Sequence, residues 1–234
     1  MEVRVEEHPR LKNIYRVFLQ EGERLATKNL VPGVKAYDEK LISHEGVEYR
    51  VWSPYRSKLA AAILKDMDVS TISPGARILY LGSSTGTTVS HVSDIVGFEG
   101  RVFAVDSSSR VMREFIERVA DPRVNVYPFL GDARHPHLYG DLVGLVDAVY
   151  CDVAQPDQTL IAIRNSHLYL KRRGVLLLAV KAKSIDISKP DMEIYEGELA
   201  KLEGEGFKIL EWEELDPFEK DHAFIIAILP NPSR

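Results

Sequence analysis

Two charged residues stand where they could carry out proton chemistry at a hydroxyl group. Asp152 ends the apolar segment Val146 to Asp152, and Lys181 follows the apolar segment Gly174 to Val180. If these segments are neighbouring parallel strands, their carboxyl ends meet at one edge of a sheet and the two side chains share a pocket. A lysine can act as a base when burial or a second cation lowers its pKa, and Lys58 is a candidate for that cation. A solvated surface position is the competing interpretation of both lysines.

A histidine and an aspartate near the end of the chain are further candidates. Asp221 and His222 precede the last apolar segment and could reach the same pocket from its far side, although such turn residues are usually only solvated. His91 falls in a helical pattern, where a packed or capping role is open to it. The single cysteine, Cys151, excludes a disulfide framework and a cysteine-based metal site, so we expect no metal.

A second group of residues is typical of a nucleoside site. The small-residue turn Gly82 to Thr88 lets a ligand approach the backbone, although alone it is no more than a tight loop. Asp106 is placed to accept hydrogen bonds from both ribose hydroxyls of an adenosine, and Asp132 from the adenine amino group. Each carboxylate alone is also a typical helix cap. The three positions together favour a nucleoside, and the absence of GxGxxG favours S-adenosylmethionine over NAD.

The elements that must position these residues alternate between strand and helix. Such alternation predicts an α/β fold with a mainly parallel sheet, the seven-stranded, Rossmann-like methyltransferase fold closed by a hairpin. The predicted strands are Arg77 to Leu81, Arg101 to Val105, Val124 to Tyr127, Val146 to Asp152, Gly174 to Val180, Phe207 to Leu215 and Ala223 to Leu229. The predicted helices are Thr87 to Val96, Arg110 to Val119, Asp157 to Leu170 and Asp191 to Leu202.

Composition and patterning also predict the domain organisation. Residues 1–52 are rich in β-branched and aromatic residues between turn formers, which predicts a small β domain, and residues 53–234 make up the methyltransferase domain. The apolar runs are too short to span a bilayer, and no secretory signal is visible, so we expect a cytoplasmic protein. The net charge of −5 predicts that any RNA role depends on a local basic surface or on a partner.

The sequence resembles the fibrillarin family, in its archaeal form, over nearly the whole chain. The segments that carry the resemblance include Val5 to Pro9, Leu25 to Gly33, Trp52 to Ala60, Gly86 to Val92, Asp152 to Pro156, Tyr169 to Lys171, Val180 to Lys181 and Glu219 to Ala223. The resemblance implies a ribose 2′-O-methyltransferase that uses S-adenosylmethionine. The eukaryotic form has a Gly/Arg-rich extension that is not seen here, which agrees with the expected cytoplasmic location.

The resemblance also implies the roles of particular residues. The family's catalytic set maps to Lys58, Asp152 and Lys181, completed by His222 or Asp221, and this choice stays open. The implied cofactor contacts, together with Gly82 of the turn, are Thr87, Thr88, Asp106, Ser107, Asp132, Ala133, Asp152, Val153, Ala154 and Gln155. At two of these positions the chain departs from the family pattern. Asp106 replaces a more usual glutamate, and Ser107 stands where an aromatic residue commonly stacks on the adenine.

Partners follow from the same resemblance. It implies a Nop-type scaffold protein, a kink-turn-binding subunit related to a ribosomal protein, a box C/D guide RNA and target rRNA or tRNA. An acidic subunit fits this arrangement, because a scaffold and a guide deliver it to the RNA. The alternatives are a small-molecule O-methyltransferase of the same fold and a non-catalytic assembly subunit. The presence of Lys58, Asp152 and Lys181 favours an enzyme that acts on a hydroxyl.

Overall fold

A computed structural model describes residues 3–230, and the predicted domain ranges extend beyond them by residues 1–2 and 231–234. The N-terminal part forms an antiparallel sheet in the order β1-β2-β3-β5-β4. Its strands are β1 (Arg4–Glu7), β2 (Ile14–Leu19), β3 (Gly22–Lys28), β4 (Leu41–His44) and β5 (Val47–Trp52). The predicted β-rich segment at the start of the chain is therefore a five-stranded sheet.

The rest of the chain forms a seven-stranded sheet in the order β11-β12-β10-β9-β6-β7-β8, which confirms the predicted fold class. Its strands are β6 (Arg77–Leu81), β7 (Arg101–Asp106), β8 (Val126–Leu130), β9 (Val146–Cys151), β10 (Leu170–Lys181), β11 (Lys208–Glu214) and β12 (His222–Ile228). The strands β6 to β10 are parallel, and β12 pairs antiparallel with β10 and β11. The central strands are almost wholly apolar because helices cover both faces.

The helices are distributed over the two faces of this sheet. They are α1 (Lys58–Leu64), α2 (Thr87–Val96), α3 (Ser109–Phe115) with a π-helical continuation (Ile116–Ala120), a 3₁₀ turn (Pro136–Leu138), α4 (Gly140–Val143), α5 (Gln158–Tyr169), α6 (Ala182–Ile185) and α7 (Asp191–Gly204). On one face of the seven-stranded sheet, a single apolar core contains residues of α1, α2, α3 and the N-terminal sheet. The other core joins α5 and α7 to the opposite face.

Two strand predictions need correction. The third strand of the parallel sheet was predicted at Val124 to Tyr127 but runs over Val126–Leu130 and contains Pro128. Proline is tolerated there because β8 lies at the edge of the sheet and needs hydrogen bonds on one side only. The strand β10 begins earlier than Gly174, and its pairing with β9 is interrupted between Leu170 and Val175. A register shift of this kind has no clear signature in the hydrophobic pattern.

A buried cluster of charges joins the N-terminal sheet to α2. Arg50 on β5 contacts Glu39 and Asp94 at 2.7 Å each, and no part of these three side chains is exposed. Asp94 lies on α2 and also accepts from Arg123 at 3.5 Å. The cluster contains two arginines and two carboxylates, so each of these buried charges has a partner of opposite sign. This cluster fixes the helix that follows the Gly82 turn against the N-terminal sheet.

Candidate active site

The order of the strands arranges the candidate residues along one edge of the sheet. Asp152 follows β9, Lys181 ends β10 and His222 begins β12, and these three strands are neighbours. On the other side of β9, the ends of β6, β7 and β8 carry the candidate nucleoside-binding residues Gly82, Asp106 and Asp132. One edge therefore carries a reactive half and a nucleoside half, with Asp152 between them.

The reactive half is built around a carboxylate and two lysines. Lys58 Nζ lies 3.1 Å from both carboxylate oxygens of Asp152, and both side chains are about four-fifths buried. Lys181 and His222 are direct cross-strand partners in the antiparallel pair of β10 and β12. Lys58, Asp152, Lys181 and His222 all line one cavity. The two lysines predicted from sequence thus reach the same cavity from different elements.

His222 enters this cavity as a neutral ring. Its Nδ1 lies 2.6 Å from the carbonyl oxygen of Lys220, which can only accept a hydrogen bond, so Nδ1 carries the hydrogen and donates it. Burial lowers the pKa of His222, and the nearby Lys58 cation lowers it further, against the effect of the Lys220 carbonyl. The lone pair of the ring is left at Nε2.

Asp221 occupies a different position from His222. It is exposed, it is not among the residues that line the cavity, and its backbone oxygen accepts a hydrogen bond from the amide of Ala182 at 3.0 Å. Of the two alternatives left open by the sequence, the structure brings His222 to the other candidates.

The start of α1 determines where Lys58 lies. Ser57 caps this helix, with its hydroxyl oxygen accepting from the amide of Ala60 at 3.3 Å. The same oxygen accepts from the hydroxyl of Thr88, the second residue of α2, at 2.9 Å. Because Ser57 and Thr88 are nearly inaccessible to solvent, this bond ties the first turn of α1 to the beginning of α2. The Thr88 hydroxyl therefore points to Ser57, and neither Thr87 nor Thr88 lines the cavity.

The nucleoside half begins with the turn after β6. Gly82 has a φ of +82°, and a Cβ at this position would lie 2.4 Å from the carbonyl oxygen of Asp152. Only glycine lets the turn pass this close to the Asp152 backbone. At the end of β7 the Asp106 carboxylate accepts from the amides of Ser84 and Ser108, each at 2.9 Å. These bonds hold the carboxylate at the edge of the cavity that Asp106 and Ser107 line.

Asp132 is already engaged by a neighbouring side chain. The guanidinium of Arg134 donates to both of its oxygens at 2.8–3.1 Å, and the Arg134 amide donates at 2.9 Å. These hydrogen bonds hold the pKa of Asp132 below its ordinary value. An adenine amino group would have to share the carboxylate with Arg134 or displace it. Arg134 itself lines the cavity, which the sequence had not indicated.

The cavity has the size and polarity of a small-molecule site. It encloses about 410 Å³ and is lined by Lys58, Gly82, Ser84, Val105, Asp106, Ser107, Gly131, Asp132, Ala133, Arg134, Asp152, Val153, Ala154, Gln155, Ile161, Lys181, Glu219 and His222. Ligand cavities commonly measure about 300–1,000 Å³. Carboxylates for a ribose and for an exocyclic amine occur at successive strand ends, so the residues present fit an adenosyl group.

Two of the residues near the cavity were not among the candidate site residues predicted from the sequence. Glu219 lines it, and His222 Nδ1 lies 3.9 Å from a carboxylate oxygen of Glu219. Gln158, at the start of α5, is completely buried and hydrogen-bonds to the backbone of Lys181. The Gln158 contact joins segments that lie far apart in the chain, whereas Glu219 and His222 are close in sequence.

Over residues 3–230, no cluster of three or more histidine, cysteine, aspartate or glutamate side chains is arranged to hold a metal ion. Within the same range, none of the helices has both the length and the apolar character needed to cross a membrane.

Comparisons with known proteins agree with this geometry. The fibrillarin family model matches residues 5–231. The fibrillarin-like rRNA/tRNA 2′-O-methyltransferase of Staphylothermus marinus is 50% identical over 226 residues, covering 96% of each chain. Aeropyrum pernix fibrillarin, solved in complex with natively bound S-adenosyl-L-methionine, superposes with a TM-score of 0.90 at 47% identity, covering 97% of this chain and 99% of that one.

A third relative was solved together with another protein. It comes from a fibrillarin/Nop5p complex and superposes with a TM-score of 0.83 at 38% identity, covering 95% of this chain and 99% of that one. The resemblance seen in the sequence thus extends over the whole fold and includes the edge that carries the cavity. The chain belongs to the fibrillarin family.

Proposed function

We propose that this chain is an S-adenosylmethionine-dependent ribose 2′-O-methyltransferase that acts on rRNA and tRNA. The observation that carries the proposal is the meeting of Lys58, Asp152, Lys181 and His222 at one end of a cavity whose other end suits an adenosyl group. The names of the relatives and the cofactor held by the Aeropyrum pernix protein support the same activity.

The cofactor, when bound, supplies a methyl group on a sulfonium that is already activated for transfer. The protein must then align the acceptor and manage its proton. We assign Asp106 to the ribose hydroxyls, Asp132 to the adenine amino group, and the backbone from Asp152 to Gln155 to the remainder of the cofactor. Gly82 permits the close approach of the turn. Ser107 and Ala133 line the cavity and stay predicted contacts, whereas Thr87 and Thr88 do not line it and are predicted from the resemblance alone.

We assign the target ribose to the reactive half. We propose that the 2′-oxygen lies between Lys181 and His222. In this arrangement Nε2 of His222, and not the lysine considered from the sequence, accepts the proton, while the Lys181 ammonium donates a hydrogen bond to the oxygen. Negative charge develops on the oxygen as the proton leaves, and a fixed cation beside it stabilises that charge. Asp152 holds the Lys58 ammonium at 3.1 Å, which keeps a second cation in the site without leaving it unpaired.

We also propose the assembly in which the chain acts. A Nop-type scaffold protein is supported by the fibrillarin/Nop5p complex, and we add a kink-turn-binding subunit, a box C/D guide RNA and a cytoplasmic location. Since the net charge is −5, the isolated chain should bind guide RNA weakly and methylate poorly. Adding the scaffold and the guide should raise the rate, and efficient methylation by the chain alone would contradict this.

The test of the activity is a transfer assay with a reconstituted particle. Cofactor with a labelled methyl group is incubated with scaffold, kink-turn protein, guide and target RNA, and the label is mapped to base or ribose. The control target carries a 2′-deoxyribose at the guided nucleotide. We expect label on the ribose of the natural target and none on the control. Label on a base, or equal label on both targets, would refute the proposal.

A further inference from the structure

The side chain of Gln158 occupies the place of a missing strand beside Lys181. The last paired residues of β9 and β10 are Cys151 and Leu178, after which β10 continues for three residues without β9. At Lys181 the Gln158 amide fills this gap. Its Oε1 accepts from the Lys181 backbone amide at 2.9 Å, and its Nε2 donates to the Lys181 carbonyl oxygen at 3.2 Å. This two-way pairing imitates the hydrogen bonds of a neighbouring strand.

The same side chain holds the loop on the other side of the site. Nε2 of Gln158 also donates to the carbonyl oxygen of Gln155 at 3.1 Å. Gln155 ends the cavity-lining stretch that begins at Asp152. One buried amide therefore ties the Asp152 loop to the backbone of Lys181, with all of its bonds directed at these two segments.

Burial makes these bonds specific. Gln158 is inaccessible to solvent, so water cannot replace a lost partner, and an unsatisfied amide there would be costly. On the opposite side, β12 pairs Lys181 with His222. The hydrogen bond to β12 at this point is made by the next residue, Ala182, whose amide donates to the Asp221 carbonyl oxygen at 3.0 Å. Both polar backbone groups of Lys181 itself bond to the Gln158 side chain.

We propose that Gln158 is a positioning residue, which sets the backbone of Lys181 and thereby the place of its ammonium group relative to Asp152 and the target ribose. The inference rests on the proposed function. Gln158 does not line the cavity and does not contact substrate; it acts through Lys181. Displacing a reacting group by about 1 Å can cost up to roughly 100-fold in rate, so a loosened Lys181 should slow the transfer.

The test compares Gln158→Met, which keeps the size of the side chain and removes its three hydrogen bonds, with Asn125→Leu as the matched control. Asn125 is equally buried and also makes three side-chain hydrogen bonds, but these lie with Ser93 and Gly97 at the opposite edge of the sheet. Stability in urea, cofactor affinity and kcat at saturating cofactor and target are measured in the reconstituted particle for each variant.

We expect both variants to lose stability, and only Gln158→Met to lose kcat, by about 10- to 100-fold. If that variant fails to fold, the same kcat measurement is made on Gln158→Asn, whose amide is one methylene too short to bridge Gln155 and Lys181. Wild-type kcat in the Gln158 variant that folds, or an equal loss of kcat in Asn125→Leu, would overturn the inference and leave the proposed function standing. Absence of ribose methylation by the wild-type particle would overturn both.

Discussion

Replacing Arg50 by methionine should destabilise the fold more than any loss of a surface ion pair. The Arg50 guanidinium contacts Glu39 and Asp94 at 2.7 Å each and donates to the Ser90 hydroxyl at 2.7 Å. Methionine fills much of the space but leaves Glu39 without its only cationic partner among the described residues. Removing one partner of a buried ion pair typically costs about 3–5 kcal/mol.

The two carboxylates should not suffer equally. Asp94 keeps Arg123 at 3.5 Å, while Glu39 keeps only the backbone amides of Ala36 and Tyr37. Adding Glu39→Gln to Arg50→Met should therefore recover part of the loss, about 1–3 kcal/mol, because it removes the stranded buried charge.

The measurement is the free energy of unfolding from urea titration at neutral pH without cofactor. Arg118→Met is the control, since Arg118 pairs with Glu114 at 2.8 Å with its side chain 54% exposed, and losing such a pair costs about 1 kcal/mol or less. A loss below 1 kcal/mol in Arg50→Met, or no recovery in the double variant, would refute the view that this cluster holds the N-terminal sheet to α2.

Three further outcomes follow from the site and its surroundings. The pKa of His222 lies below the ordinary histidine value of 6.5, and Nε2 must be unprotonated to accept a proton. We therefore expect kcat to decline only below pH 6.5, and a decline centred above pH 6.5 would exclude this role for His222. Burial holds the pKa of His91 well below 6.5, so the stability that depends on its neutral ring is complete above pH 6.5 and is lost below it by about 1.4 kcal/mol per pH unit. In His91→Gln the free energy of unfolding should therefore fall less steeply with decreasing pH than in the wild type. Equal slopes in the two proteins would contradict this. Gly82→Ala should weaken cofactor binding by about tenfold or more because its Cβ meets the Asp152 backbone, whereas Gly46→Ala, with open space around it, should bind normally; equal affinity in both variants would argue against the close approach.

The sequence predicted the fold and the candidate residues that lie at the carboxyl ends of the strands. Apolar segments that end in Asp106, Asp152 and Lys181 predicted parallel strands with chemistry at their carboxyl ends, and the alternation with helices predicted the sheet. Strand ends are local features, which explains why they are readable. The assignment of roles to the site residues, and the division at residues 52 and 53, stay predictions; Trp52 and Leu59, on either side of that division, belong to one apolar core.

Contacts between segments that lie far apart in the chain could not be predicted from the sequence. The choice between Asp221 and His222 depends on the register that places His222 opposite Lys181, and a hydrophobic pattern does not specify register to one residue here because both faces of β12 are buried. Gln158 and Arg134 look like ordinary polar residues near helix starts and loops. The role of Gln158 follows from Lys181, which only the folded chain brings within hydrogen-bonding distance, whereas Arg134 bonds to nearby Asp132 and is brought to the cavity by the fold.

Replacing Lys181 by alanine tests the central claim most directly, because we propose that this residue acts at the 2′-oxygen and not at the cofactor. In the reconstituted particle, Lys181→Ala should abolish ribose methylation, with a loss of at least about 100-fold, while cofactor binds with nearly wild-type affinity. Turnover at the wild-type rate, with particle assembly and cofactor affinity unchanged, would remove Lys181 from the reaction and with it the proposed arrangement of the site.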